Sequence, residues 1–390
     1  MNRLDDIAAI RAEFPQLSRL IHGKPLVYFD NANTAQKPRA VIDAVASYYI
    51  EHNANVARAV HTLGEEATSL YEAARDKLAR FVGARSREEV VFTRGTTESI
   101  NLVAYSFLRP TLKPDDEILV SRMEHHANIV PWQLIAAEAG AKVVPAPITD
   151  TGELDVDGTV ALMNERTRLF GLTHVSNALG TVNPVKTLID AAKARGIPSL
   201  IDGSQAVPHF KVDIAALDCD FYVLTGHKLF GPTGTGALIA KRAHLDAMPP
   251  FMGGGEMIRK VSFDGTTFND PPHKFEPGTP NIAGFIGLGA AIDWLNAVGM
   301  DAIAARAKAA KITYRDERYV AEAVVKARQA RVAIVFATQW MAEGIDAPEL
   351  FQRCLQVFDD LLRDHVGRRQ VVGIGQRIVA QPEDVQAGLV

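Results

Sequence analysis

The sequence predicts an α/β fold built on a mostly parallel sheet of seven strands, with helices on both faces and a smaller α+β domain beside it. Three observations carry this. Seven short apolar runs alternate with helical stretches between Glu89 and Ala240, and strand–helix alternation is what parallel strands joined by crossover helices require. The runs are strand-sized, as in Thr167–Thr173 and Phe221–Leu224. The chain has 390 residues, enough for one large domain with a sizeable core and a smaller one.

Taken in order, Asp5 to Glu13 reads as a polar helix and Leu26 to Phe29 as a short strand. A helix is expected from Arg39 to Glu51. A long amphipathic helix is expected from Leu63 to Val82, with Ala67, Leu70, Tyr71, Ala74, Leu78 and Phe81 at helical spacing. The seven strands are expected at Glu89–Thr93, Glu117–Ser121, Ala141–Pro145, Thr167–Thr173, Ser199–Asp202, Phe221–Leu224 and Gly236–Ala240, with helices at Ser99–Phe107, Val130–Glu138 and Thr187–Ala194 between them. Met252 to Pro280 is rich in Gly and Pro and reads as a long functional loop. The domains are expected as 1–25, the N-terminal part of the small domain; 26–298, the large domain; and 299–390, an atypical C-terminal small domain.

Composition narrows the function. The 42 basic and 46 acidic residues give a formal charge of −4 with no block of like charges, which offers nothing to nucleic acid. The N-terminus has no apolar signal-peptide core and no stretch reaches membrane-spanning length, so a cytoplasmic protein is expected. Two cysteines, Cys219 and Cys354, make no disulfide framework. No Cys/His cluster has metal spacing; His125 and His126 are adjacent and do not share a helix face.

In such sheets ligands bind at the carboxyl ends of the strands, and the chemistry-bearing motifs sit there. Arg94-Gly95-Thr96-Thr97-Glu98 follows the first strand and opens a helix. Backbone N–H groups, two hydroxyls and a positive dipole end make a phosphate cradle, although an ordinary helix cap reads the same. Asp202, at a strand end before Gly203-Ser204-Gln205, suits the pyridine nitrogen of pyridoxal phosphate, which it would keep protonated as an electron sink; a capping Asp is the bland alternative. Thr225-Gly226-His227-Lys228 is the most specific signal. A lysine desolvated after a buried strand is suited to Schiff-base chemistry, and Thr225 and His227 stand where they can reach a phosphate. His125, in Glu124-His125-His126-Ala127-Asn128, can stack on a cofactor ring and handle protons. His174-Val175-Ser176-Asn177 follows another strand and can contact the ring oxygen and substrate.

Together these motifs resemble the class V aminotransferase group and, more narrowly, the SUF-type cysteine desulfurases of PLP fold type I. The resemblance runs from about Ile10 to Val298 and includes Tyr28-Phe29-Asp30-Asn31-Ala32, Gln36-Lys37-Pro38, Arg58, His61-Thr62-Leu63 and Phe275-Glu276-Pro277-Gly278-Thr279-Pro280. It implies that Lys228 carries the cofactor and moves the substrate α-proton, that His125 stacks on the ring, and that Asp202 holds the pyridine nitrogen. Gln205 would hold the ring hydroxyl, and Thr96, Thr97, Thr225 and His227 the phosphate. Asn177, Arg58 and Arg377 are candidates for holding the substrate, and Thr279 would reach the phosphate of a neighbouring subunit in a homodimer. The activity implied is conversion of L-cysteine to L-alanine, with sulfur passed to a thiol acceptor, in iron–sulfur cluster assembly.

One part of the pattern is missing. The family carries its sulfur-accepting Cys near the C-terminus in an Arg-x-Gly-x-x-Cys-x-x-Pro setting, and after about Ala305 the chain no longer follows the family. Cys354 lies on an apolar helical stripe with Phe351, Leu355 and Phe358, a setting for a buried thiol rather than a reactive one. Cys219 reads as structural. Two alternatives therefore stand beside desulfuration: a PLP-dependent lyase or aminotransferase, and a PLP-binding pseudoenzyme or chimeric product.

Overall fold

A series of short elements precedes the central sheet. The computed structural model describes residues 3–309, apart from 22, 27, 29, 58 and 59. A 3₁₀ turn at Arg3–Asp5 leads to helix α1 (Ile7–Ala12), which Asp6 caps by accepting from the Ala9 N–H at 2.9 Å. A small hairpin of β1 (Leu20–Ile21) and β2 (Lys24–Pro25) follows. Leu26 and Tyr28 then belong to no strand, against the sequence expectation. The Tyr28 hydroxyl turns back to the Thr34 carbonyl at 2.8 Å, and four apolar residues carry too little periodicity to separate strand from extended loop. Helix α2 (Arg39–Ser47) continues as a π-helical turn, Tyr48–His52, and α3 (Thr62–Phe81) follows.

The α/β part is β3 (Val90–Thr93), α4 (Thr96–Leu102) with its π-helical extension Val103–Leu108, β4 (Glu117–Ser121), α5 (Val130–Ala139), β5 (Lys142–Ala146), α6 (Val156–Leu162), β6 (Thr167–Thr173), α7 (Val185–Lys193), β7 (Ser199–Asp202), α8 (Ile214–Leu217), β8 (Phe221–Thr225), β9 (Gly236–Ala240) and α9 (Arg242–Ala247). Strands β3 to β9 form one seven-stranded sheet in the order β3-β9-β8-β7-β6-β4-β5. Within it β9 runs against both neighbours and the other six share one direction. Every expected strand of this sheet is present, with bounds that move by a residue at most.

The sheet is covered on both faces. Along β8, Phe221 and Val223 enter one apolar cluster while Tyr222 and Leu224 enter the other, as the two-residue period of a strand requires. Each fully buried side chain of this kind contributes about 1.5–3 kcal/mol, so the strands read as unbroken apolar runs.

A hairpin and two helices close the described chain. In the expected loop, β10 (Ile258–Ser262) and β11 (Gly265–Phe268) form an antiparallel hairpin turning at Phe263-Asp264. Its residues are almost all exposed, so no alternation marked it in the sequence. Helices α10 (Ile282–Val298) and α11 (Met300–Ala309) come last. Among the described residues no single helix is long and apolar enough to cross a membrane. The apolar α10 packs on α2 and α3, with Phe285, Leu288, Ile292 and Leu295 all buried.

Candidate active site

Because six strands are parallel, Thr93, Ser121, Thr173, Asp202 and Thr225 all end on one edge of the sheet, and Gly236 begins β9 there. The turn after β3 depends on two glycines. Gly95 has φ +154°, and a Cβ on it would point at Thr225 Oγ1, 3.4 Å away. Across from it, a Cβ on Gly236 would lie 2.5 Å from Gly95 Cα. Strand and turn therefore close at backbone distance, and α4 begins beside β8. The first turn of a helix carries N–H groups that the helix itself leaves unpaired, and Thr97 is exposed next to them. Thr96 is buried, its hydroxyl 2.6 Å from that of Ser204, which couples the cradle to the loop after β7.

Asp202 is buried, and one of its carboxylate oxygens accepts from the Ser204 N–H at 2.9 Å. Its backbone carbonyl accepts from the His174 N–H at 2.8 Å. The His174 imidazole packs beside Tyr222 with Nδ1 3.0 Å from the Tyr222 hydroxyl, and burial pushes its pKa down to about 4, so it is neutral at pH 7. Gln205 donates from Nε2 to the Ala32 carbonyl at 2.9 Å.

Lys228 lies on the 3₁₀ turn Gly226–Lys228 directly after β8. Burial, then the charges of Lys228 and Lys37, push the pKa of His227 down to about 4, leaving a neutral imidazole. Its carbonyl is held from the segment before α2: it accepts from the Ala35 N–H at 3.0 Å and from Lys37 Nζ at 2.9 Å, and Lys37 also donates to the Ala35 carbonyl at 2.6 Å. Burial lowers the pKa of Lys37 to about 8. His125 caps the turn after β4, its Nδ1 accepting from the Ala127 N–H at 3.0 Å; a neutral imidazole that accepts at Nδ1 carries its proton on Nε2.

Of the residues singled out in the sequence, Lys228, His125, Asp202 and Gln205 line one cavity of about 700 Å³. Thr96, Thr97, Asn177, Thr225 and His227 line it as well. Thr279 does not; it is exposed on the loop before α10. Arg58, Cys354 and Arg377 lie outside the described residues. Cys219 is buried away from the cavity, and burial pushes its thiol up to about 12, far from a reactive thiolate. The sequence reading gave no role to Ser204, Lys37 or Glu124. Each has one partner distant in the chain, Thr96 for Ser204, His227 for Lys37 and Thr173 for Glu124, and no local spacing announces those pairings.

A family model, Aminotransferase class-V, matches residues 27–336. The chain belongs to the class-V aminotransferase family. The match runs past Ala305, after which the sequence is expected to leave the family. The chain is 60% identical over 301 residues to a probable cysteine desulfurase of Xylella fastidiosa strain 9a5c, covering 77% of this chain and 72% of that one. It is 54% identical over 300 residues to a cysteine desulfurase of Dickeya dadantii strain 3937, covering 77% and 73%. Among solved structures, the cysteine desulfurase CsdA of Escherichia coli, in its S-sulfonic acid form, aligns with a TM-score of 0.68 at 45% identity, covering 75% of this chain and 72% of that one.

The cofactor of this member of the class-V aminotransferase family is pyridoxal phosphate, and the residues present fit it. The volume suits a molecule of that size. The glycine turn leaves open the space a Cβ would take, beside hydroxyl and N–H donors for a phosphate. A buried carboxylate, a primary amine and a flat imidazole line the same cavity, matching a pyridine nitrogen, an aldehyde and a ring face.

Proposed function

We propose that this chain is a PLP-dependent cysteine desulfurase that converts L-cysteine to L-alanine and passes sulfur to a thiol, R–SH, as R–S–SH. One observation carries the reading. The amine of Lys228, the carboxylate of Asp202, the imidazole of His125 and the hydroxyls of Thr97 and Thr225 come from the ends of four strands, β8 giving both Thr225 and Lys228, and surround one cavity. Relatives at 60% and 54% identity that are named cysteine desulfurases support the choice of substrate.

Bound there, pyridoxal phosphate supplies an electron sink for the pair left behind when the substrate α-proton departs. Lys228 holds the cofactor and then takes and returns that proton at the α-carbon. Asp202, buried and oriented by the Ser204 N–H, keeps a positive charge on the ring nitrogen. His125 would stack on the ring, with Nδ1 held by the Ala127 N–H, and would handle protons beside the reacting atoms. Thr96, Thr97, Thr225 and the neutral His227 hold the phosphate, Gln205 reaches the ring oxygen, and Asn177 reaches ring oxygen and substrate. Arg58 and Arg377 are assigned to the substrate, Arg377 to its carboxylate. The thiol that takes the sulfur is not Cys219, whose burial keeps it protonated.

The same reading includes a homodimer in which the exposed Thr279 serves the partner's phosphate, a large domain over 26–298 flanked by small-domain segments, and a cytoplasmic protein supplying sulfur for iron–sulfur clusters to an acceptor protein. The test is product analysis. PLP-loaded protein is incubated with L-cysteine and a reductant, beside Lys228→Ala, and assayed for alanine and pyruvate. Alanine that depends on Lys228 is the expected result. Pyruvate in its place would make the protein a lyase, and neither product from a PLP-binding protein would make it an inert holder.

A further inference from the structure

Glu124 is a buried carboxyl for which the chemistry above has no use, one position before His125 and 3% exposed. Its Oε1 accepts from the Ser121 hydroxyl, at the end of β4, and from the Thr173 N–H at 2.8 Å, at the end of β6. Its Oε2 accepts from Asn128 Nδ2 at 2.7 Å, and Asn128 Oδ1 accepts from the indole N–H of Trp132 at 2.9 Å. Trp132 is fully buried.

The direction of this chain of bonds is dictated by chemistry. An indole N–H and a backbone N–H can only donate. Trp132 therefore fixes the Asn128 amide with its oxygen toward the indole and its nitrogen toward Glu124. Thr173 makes the same demand on the other oxygen. Position 124 must accept on both sides, and only its bond with Ser121 can reverse. Burial, opposed by these hydrogen bonds and reinforced by the charge of Asp202, pushes the pKa of Glu124 up to about 8; a proton on it would have its place toward Ser121.

The geometry points to Glu124 as a positioning residue, which ties the loop carrying His125 to the ends of β4 and β6 and so fixes the imidazole face against the cofactor. Glu124 and Asn128 are joined side chain to side chain, and His125 lies inside the ring they close. Its carbonyl accepts from the Asn128 N–H at 2.8 Å and its Nδ1 from the Ala127 N–H, which leaves the ring little freedom. This inference rests on the reading that the cavity holds pyridoxal phosphate.

Glu124→Gln keeps the shape but sets an N–H₂ against the Asn128 N–H₂, and Asn128 cannot turn over without facing the indole N–H. Glu124→Gln with Asn128→Asp restores the chain: the Gln amide donates to one Asp oxygen, and the other accepts from Trp132. Full-length apoproteins are titrated with PLP, the Trp132 indole N–H resonance is recorded without cofactor, and urea unfolding is followed alongside. The single variant is expected to bind PLP about tenfold more weakly, the size of one unpaired buried donor, with a displaced indole resonance. The double variant is expected to return to within about threefold of wild type. Ser121→Ala, which removes one bond and leaves the loop closed, is expected to lose about threefold and serves if Glu124→Gln does not fold. Lower stability with unchanged PLP affinity, or a double variant as weak as the single, would overturn the positioning role. Wild-type protein that binds no PLP would instead sink the reading of the cavity.

Discussion

Arg75 and Glu276 stand 201 positions apart and meet as a two-bond fork inside the protein, with N–O distances of 2.7 and 2.9 Å. The guanidinium lies 4.2 Å over the ring of Phe92 and also donates to the Val90 carbonyl, while Glu276 accepts from the Phe92 N–H at 2.7 Å. The pair thus pins the segment leading to Thr279 against β3. A buried pair is costly to break, because its survivor keeps a charge without a partner. Arg75→Leu is expected to lower stability by about 3–5 kcal/mol, measured as a shift of the urea midpoint. A loss under about 1 kcal/mol would show that water reaches Glu276.

Acid should act through the same pair. Burial alone would raise the pKa of Glu276, but the Arg75 charge and the bonds from His273, Arg75 and the Phe92 N–H outweigh it and hold the carboxyl at about 2, below its ordinary 4.5. A depressed acid contributes stability that is present above the unfolded value and lost as pH falls through the folded one. Between about pH 4.5 and 2 the wild type should lose stability with a slope that Glu276→Gln lacks. Parallel curves for the two proteins would assign acid unfolding to other groups.

Lys37 works in the opposite sense. Burial draws its pKa from 10.5 to about 8, so between those values the unfolded chain holds the extra proton and stability rises with pH. Lys37→Met should flatten that rise and loosen the His227 carbonyl from the segment before α2. Denaturation at pH values on either side of the window, for both proteins, measures the difference. An equal rise in the variant would mean that Lys37 titrates as an exposed lysine.

Gly236→Ala tests the cradle. A Cβ 2.5 Å from Gly95 Cα must push strand and turn apart, and overpacking of this kind costs about 1–3 kcal/mol. The affinity lost should depend on the phosphate: PLP binding weakens while pyridoxal binding stays close to that of wild type. Equal weakening of both would place the disturbance at the ring.

The central sheet was legible because strands covered on both faces leave unbroken apolar runs such as Phe221–Leu224, and because parallel strands deliver their ends to one edge. Asp202, Lys228 and Thr97 could be picked out by position for that reason. Leu26 and Tyr28 were misread because four residues carry no period, and the hairpin at Ile258–Phe268 because it is exposed on both sides. Ser204, Lys37 and Glu124 escaped notice for another reason. Each acts through a hydrogen bond to a partner on another strand or loop, and such a pairing becomes visible only when the sheet order is known.

That order has a consequence for assembly. Strand β3 has β9 for its partner, the last strand of the sheet to be synthesised. A nascent chain therefore carries the Gly95 turn with nothing to close against until Gly236 has been made, and high contact order of this kind makes for slow folding. The phosphate end of the cavity takes shape late, and any cofactor that binds only the finished form adds stability by mass action. Vitamin B6 supply would then influence how much of this protein survives its own maturation.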